Sequence, residues 1–154
     1  MPTEPYRTSI EIAAPPAEVY PYFTEPESIL RWMGDHAVLD ACPGGEFTLD
    51  INGVPVRGHF IALEPPHRLV IAWGHAASDL LPPGSSTVEV TLEPTRDGTM
   101  LHLEHRDLPA AEAGPHAIGW RHFLGRLAMA ASGRDPGPDP FAPSPPPRPT
   151  NTRR

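Results

Sequence analysis

Residues 98–130 leave this chain little freedom in how it folds. Gly98-Thr-Met-Leu-His-Leu-Glu-His-Arg-Asp-Leu-Pro109 alternates apolar and polar side chains and stops at a proline, the pattern of a half-buried strand. His116-Ala-Ile-Gly-Trp-Arg-His-Phe-Leu-Gly-Arg-Leu-Ala-Met-Ala130 repeats its apolar residues at helical spacing. Neither element can bury its apolar face alone, so the two faces must meet. Leu101, Leu103 and His105 share the strand's inner face, and His102 and Glu104 share the outer one. On the helix, His116, Trp120, Phe123, Leu127 and Ala130 fall on one side, while His122 and Arg126 point towards solvent. Polar and aromatic side chains on faces that should pack predict a hollow between them.

The rest of the chain supplies the sheet. Thr8–Ala13 reads as a strand, and Pro15-Pro16 stops it and opens a short helix to Thr24 that Pro21 shortens or kinks. A second short helix begins near Pro26 and runs to about Met33, before Gly34. The period then changes from helical to alternating. A weak strand over 37–42 precedes a strand over Glu46–Ile51, and Asn52-Gly53 is a strong hairpin signal. Strands follow over Val54–Glu64, Arg68–Gly74, Ser86–Thr95 and Thr99–Asp107. Residues 75–85 read as a loop, 110–115 as a flexible connection, and His116–Ser132 as a helix stopped by Gly133.

Tight turns between the strands make the sheet antiparallel, with one face free to meet water and the other covered. The expected fold is therefore α+β. A curved antiparallel sheet of about six to seven strands wraps a long C-terminal helix, with two short helices after the first strand. Residues 1–133 form that domain. Residues 134–154 are proline-rich and nearly devoid of apolar side chains, so an unstructured tail is expected there. Pro143-Ser-Pro-Pro146 has PxxP spacing, which any proline-rich stretch produces by chance.

Net charge −7 argues against a nucleic acid partner, since such binders cluster Lys and Arg. Lysine is absent and all 12 basic residues are Arg, a composition typical of a GC-rich genome. Cys42 is the single cysteine, which fits a reducing compartment. The first residues lack the basic and apolar regions of a secretory leader, and no apolar run approaches the ~20 residues of a membrane span. A cytoplasmic location is expected.

Several segments occur in an order that resembles a known family. They are Ile10-Glu-Ile-Ala-Ala-Pro-Pro-Ala-Glu-Val-Tyr20, Trp32, Pro65-Pro-His-Arg-Leu-Val-Ile-Ala-Trp73, Gly98-Thr-Met-Leu-His-Leu-Glu-His105 and Gly119-Trp120. Together, over residues 6–132, they resemble the activator-of-heat-shock-protein-ATPase (Aha-type) branch of the START-like, or SRPBCC, superfamily. That resemblance implies the helix-grip fold and a cavity between the long helix and the sheet. Members bind hydrophobic molecules, some are polyketide cyclases or aromatases, and others stimulate a chaperone ATPase. Fold alone does not choose among these activities.

Ligand binding in the cavity is the reading the residues favour. Trp32, Phe47, Trp73, Trp120 and Phe123 would supply apolar wall, and His105 and His116 would orient a polar end. His59 joins them unless a bulge in its strand turns it outwards. Trp32 and the 75–85 loop are placed to gate the entrance. The same residues also fit a ligand-free core in which histidines satisfy buried tryptophan N–H groups, and that alternative stays open here. For a cyclase-like reaction the candidate base is His105, with His59 or His116 as partner.

No cofactor is expected, and no metal: His102 and His105 face opposite ways, and His116 and His122 lie about 240° apart around the helix. A homodimer through a sheet edge or the back of the helix is compatible with the pattern.

Overall fold

The computed structural model of the chain describes residues 4–141. Seven strands form one antiparallel sheet: β1 (Tyr6–Ile12), β2 (His36–Leu39), β3 (Glu46–Ile51), β4 (Val54–Glu64), β5 (Arg68–Trp73), β6 (Ser86–Thr95) and β7 (Gly98–Arg106). Their spatial order is β1-β7-β6-β5-β4-β3-β2, so the first strand pairs with the last. Helices α1 (Pro16–Val19), α2 (Pro21–Thr24) and α3 (Pro26–Ile29) follow β1, and α4 (Ala110–Ala131) ends the fold. Pro16, Pro21 and Pro26 each open a helix, where the missing N–H has no intrahelical partner to lose. Pro21 thus starts a new turn instead of kinking an old one, and the two expected short helices are three.

Alternation sets the inner face. Leu101, Leu103 and His105 of β7 are buried with Val88, Val90 and Leu92 of β6, while His102 is exposed. Trp120, Phe123, Leu124, Leu127 and Ala130 of α4 close over them. On the outer face, arginines and carboxylates interleave across five strands, as Arg7, Glu104, Arg106, Glu89, Arg68 and Glu64. Each exposed pair contributes little, but the ladder keeps this face wetted and the other dry.

β4 switches parity at a bulge. Its register with β5 shifts between Phe60 and Ala62, leaving Ile61 exposed. Val56 and Phe60 face the core before the bulge, and Leu63 packs against the core after it. His59 consequently points outwards beside Glu46, Arg57 and Pro83, away from the inner face where it was one of the expected wall residues. Gly58 lets β4 pack close to β5, because a Cβ there would stand 1.7 Å from the carbonyl oxygen of Ala72.

The expected flexible connection over 110–115 is instead the first part of α4. Pro109 is its extended N-cap, and Glu112 places negative charge in the first turn, where the helix dipole favours it. Pro115 lies inside the helix and withholds the N–H that would bond the Ala111 carbonyl. Burial of the apolar stripe downstream carries the helix through this residue, which is why a local stop signal misleads. Pro115→Ala should therefore raise stability by about 1–2 kcal/mol, the restored bond outweighing the lost chain stiffness. A urea midpoint that fell instead would show that ring packing outweighs the backbone bond.

Gly133 ends α4 as expected. It takes φ 88°, with its N–H on the Ala130 carbonyl and the Arg134 N–H on Met129. The chain then folds back, and residues 134–141 lie against the domain. Arg126 donates to the carbonyls of Trp32 and Gly137, at 3.2 and 2.8 Å. Asp139 accepts from Asn52 and pairs with His122 at 2.6 Å, and Phe141 stacks on the His122 ring at 3.8 Å. His122 and Arg126 are therefore covered by this segment and do not face open solvent. The PxxP spacing at 143–146 lies outside the described residues.

Candidate functional site

A cleft of about 260 Å³ opens between the first half of α4 and the β3–β5 part of the sheet. The β3–β4 hairpin contributes Ile51, Val54 and Val56, and Met33 closes one end. Trp73 and His75 form the floor. From α4 come Glu112, Pro115, His116, Gly119, Trp120 and Phe123, whose three- and four-residue spacing places them along one stripe. Gly119 leaves a gap in that wall: a Cβ there would meet no atom within 4 Å.

Beneath the floor, a chain of hydrogen bonds fixes the protonation of two histidines. A tryptophan N–H can only donate. Trp120 Nε1 donates to His105 Nδ1 at 3.0 Å, so the ring proton of neutral His105 sits on Nε2. Nε2–H donates to Ser86 Oγ at 2.8 Å, and Ser86 donates to the Trp73 carbonyl at 2.7 Å. Likewise Trp73 Nε1 donates to His116 Nε2 at 3.3 Å, which puts the proton on Nδ1, bonded to the Glu112 carbonyl at 2.9 Å. Both imidazoles are held neutral with every ring nitrogen occupied.

Burial is the main force keeping them so. It pushes His105 down to about 3, helped by the nearby His116 and His75. Burial lowers His116 and His75 as well. The His105 and His116 rings are 5.1 Å apart, and His75 stacks on His116 at 5.4 Å. Charging any one of them would oppose charging the next.

The structure sorts the predicted wall residues. Trp73, His116, Trp120 and Phe123 line the cleft. His105 lies below it, fully buried. Phe47 is also buried, backing Trp73 at 5.9 Å and Phe60 at 5.5 Å. Trp32 is no gate: it is fully buried, its N–H on the Tyr22 carbonyl at 3.0 Å and its ring against Phe23. Nor does the 75–85 loop hang free, since His75 N–H bonds Leu81, Ala76 N–H bonds Pro55, and Leu81 is buried.

Sequence reasoning missed the apolar lining from Met33, Ile51, Val54, Val56 and Pro115, the gap at Gly119, and two polar cleft residues, His75 and Glu112. Leu69, Ile71 and Trp73 alternate onto the inner face, and His75 simply continues the count, bridging to Val56 past Gly74. Glu112 lies one turn before His116, a relation visible only once the helix is extended to Ala110.

Other clusters lack a site. Ser9, His102 and Glu93 line up on the outer face at 2.8 and 3.1 Å, resembling a nucleophile–base–acid set. They are exposed on the sheet and line none of the clefts described here, and such a set needs enclosed oxyanion donors to act. Cys42 is exposed and donates to Asp40, which pushes its thiol up and away from the reactive thiolate. Among the described residues, no group of three His, Cys, Asp or Glu is arranged to hold a metal ion. No described helix is long and apolar enough to cross a membrane.

The family model described as Activator of Hsp90 ATPase homolog 1-like protein matches residues 13–132. The chain belongs to this family. Its sheet and long helix have the START-like, SRPBCC-type fold of solved AHSA1-like proteins. An AHSA1-like protein of Rhizobium etli is 46% identical with a TM-score of 0.71, over 90% of this chain and 88% of that one. CalU16 of Micromonospora echinospora is 32% identical with a TM-score of 0.66, over 84% and 75%. DynU16, a protein of the dynemicin biosynthetic locus, is 25% identical with a TM-score of 0.76, over 90% of this chain and 51% of that one. No curated protein matches the chain.

Proposed function

We propose that this AHSA1-like protein binds a small, largely apolar molecule in the cleft between α4 and the β3–β5 part of the sheet. The observation that carries this reading is aromatic wall facing unfilled space. Trp73, Trp120 and Phe123 present ring surface beside the gap at Gly119. Small-molecule sites are mostly apolar with a few placed polar groups, and this cleft has that composition. Its volume of about 260 Å³ suits a compact ring system better than a long lipid chain. The relative in the dynemicin biosynthetic locus supports a setting in which small organic molecules are handled.

Binding is favoured over turnover. As a general base, His105 would need a lone pair aimed at the ligand, but its Nδ1 faces the Trp120 N–H and its Nε2 faces Ser86. The cyclase-like alternative therefore loses His105 as its base.

Gly119→Leu tests the reading, because leucine favours the helix by up to ~1 kcal/mol over glycine while its side chain enters the cleft. The variant should melt at or above the parent temperature. It should bind naphthylmethanol at least tenfold more weakly, measured by quenching of tryptophan fluorescence. An unchanged affinity in a folded variant would sink the proposal.

A further inference from the structure

The binding reading leaves open which chemistry the cleft selects, and the hydrogen-bond accounting answers that. His105 and His116 cannot orient a ligand, since all four of their ring nitrogens are engaged within the protein. Two polar side chains remain. The His75 ring stacks on His116 and makes no hydrogen bond to a described residue. The Glu112 carboxylate stands 3.4 Å from His116 Nδ1, and its side chain is about a quarter exposed, at 24%. Glu112 is the single charged residue among those lining the cleft, and no arginine faces it.

We propose that the cleft is selective for a cationic amphiphile, a flat apolar body carrying a protonated amine that docks against Glu112. This deepens the binding reading and rests on it. A carboxylate can only accept hydrogen bonds, so it pairs with donors and above all with an ammonium. The rings of Trp73 and Trp120, with centroids 5.3 Å apart, offer π faces that attract a cation further. A ligand carboxylate would be desolvated beside another carboxylate with no positive partner, which is strongly unfavourable. The net charge of −7 adds a long-range pull in the same sense. His75 is kept neutral by burial, so it does not repel the amine.

Three probes with the same rings and different ends test this: naphthylmethylamine, naphthylmethanol and naphthoate, titrated calorimetrically near neutral pH. The amine should bind at least tenfold more tightly than naphthoate. In Glu112→Gln, its advantage over the alcohol should fall to near one. Gln keeps the backbone carbonyl that His116 needs, so the change reads charge and not folding. Naphthoate binding as tightly as the amine, or an amine preference that survives Glu112→Gln, overturns the selectivity and leaves the apolar cleft standing. Failure of all three probes overturns the binding reading, and the selectivity with it.

Discussion

Lowering the pH from 7 to 5 should weaken this protein in proportion to the protons that histidine takes up in the unfolded chain but not in the folded one. His105 titrates at about 3 when folded and near 6.5 when exposed. Its folded value lies below its unfolded one. Its contribution is therefore complete above about pH 6.5 and is lost as pH falls, because only the unfolded chain accepts the proton. Each pH unit within that window removes about 1.4 kcal/mol, or roughly 4–5 kcal/mol if the fold lasted to pH 3. His116 and His75 are lowered too and act in the same direction. Against a typical stability of about 5–15 kcal/mol, this is a large fraction. Urea midpoints measured between about pH 5 and 6.5 follow the effect across the range where free histidine takes up its proton. In His105→Gln the slope of stability against pH should fall by up to one proton. An identical slope in the variant would show that His105 is free to charge in the folded state.

Gly58→Ala should cost about 3 kcal/mol or more, far above the usual price of an alanine in a strand. The added Cβ would lie 1.7 Å from the Ala72 oxygen and 2.7 Å from its carbon, and both are backbone atoms that no rotamer change can move. β4 and β5 would have to separate by more than an ångström. The displaced segment carries Trp73, whose indole joins the cleft floor to His116 and whose carbonyl anchors Ser86. Loss of stability and loss of naphthylmethanol binding should therefore appear together. A folded Gly58→Ala protein with the parent's melting temperature would show that the strands can part cheaply.

How far the site could be read from the chain depended on the kind of residue involved. The inward turn of His105 followed from unbroken alternation through Leu101 and Leu103, and the reach of Trp120 and Phe123 from helical spacing. Both patterns are averages over several residues, which makes them robust. Single residues that break a pattern locally were harder. Pro115 reads as a stop, yet burial of the downstream stripe keeps α4 helical around it. Gly74 reads as the end of a strand, and that hid His75. The bulge after Phe60 reverses a face with no mark in the residue types, and it put His59 on the wrong side. Which histidine nitrogens remain free was beyond any pattern, since it depends on which indole lies within 3.3 Å.

The order of strands has a consequence for how the protein is made. β1 leaves the ribosome first, but its hydrogen-bonding partner is β7, which is complete only at Arg106. At synthesis rates of about 5–20 residues per second that is a wait on the order of ten seconds. For that time Ile10 and Ile12, which end up opposite Leu101 and Thr99, have no strand to pair with. The interval is the one in which a nascent chain most needs shielding. Arg7 and Glu11, on the exposed face of β1, give the waiting strand charge of the kind that keeps exposed edges from pairing with each other.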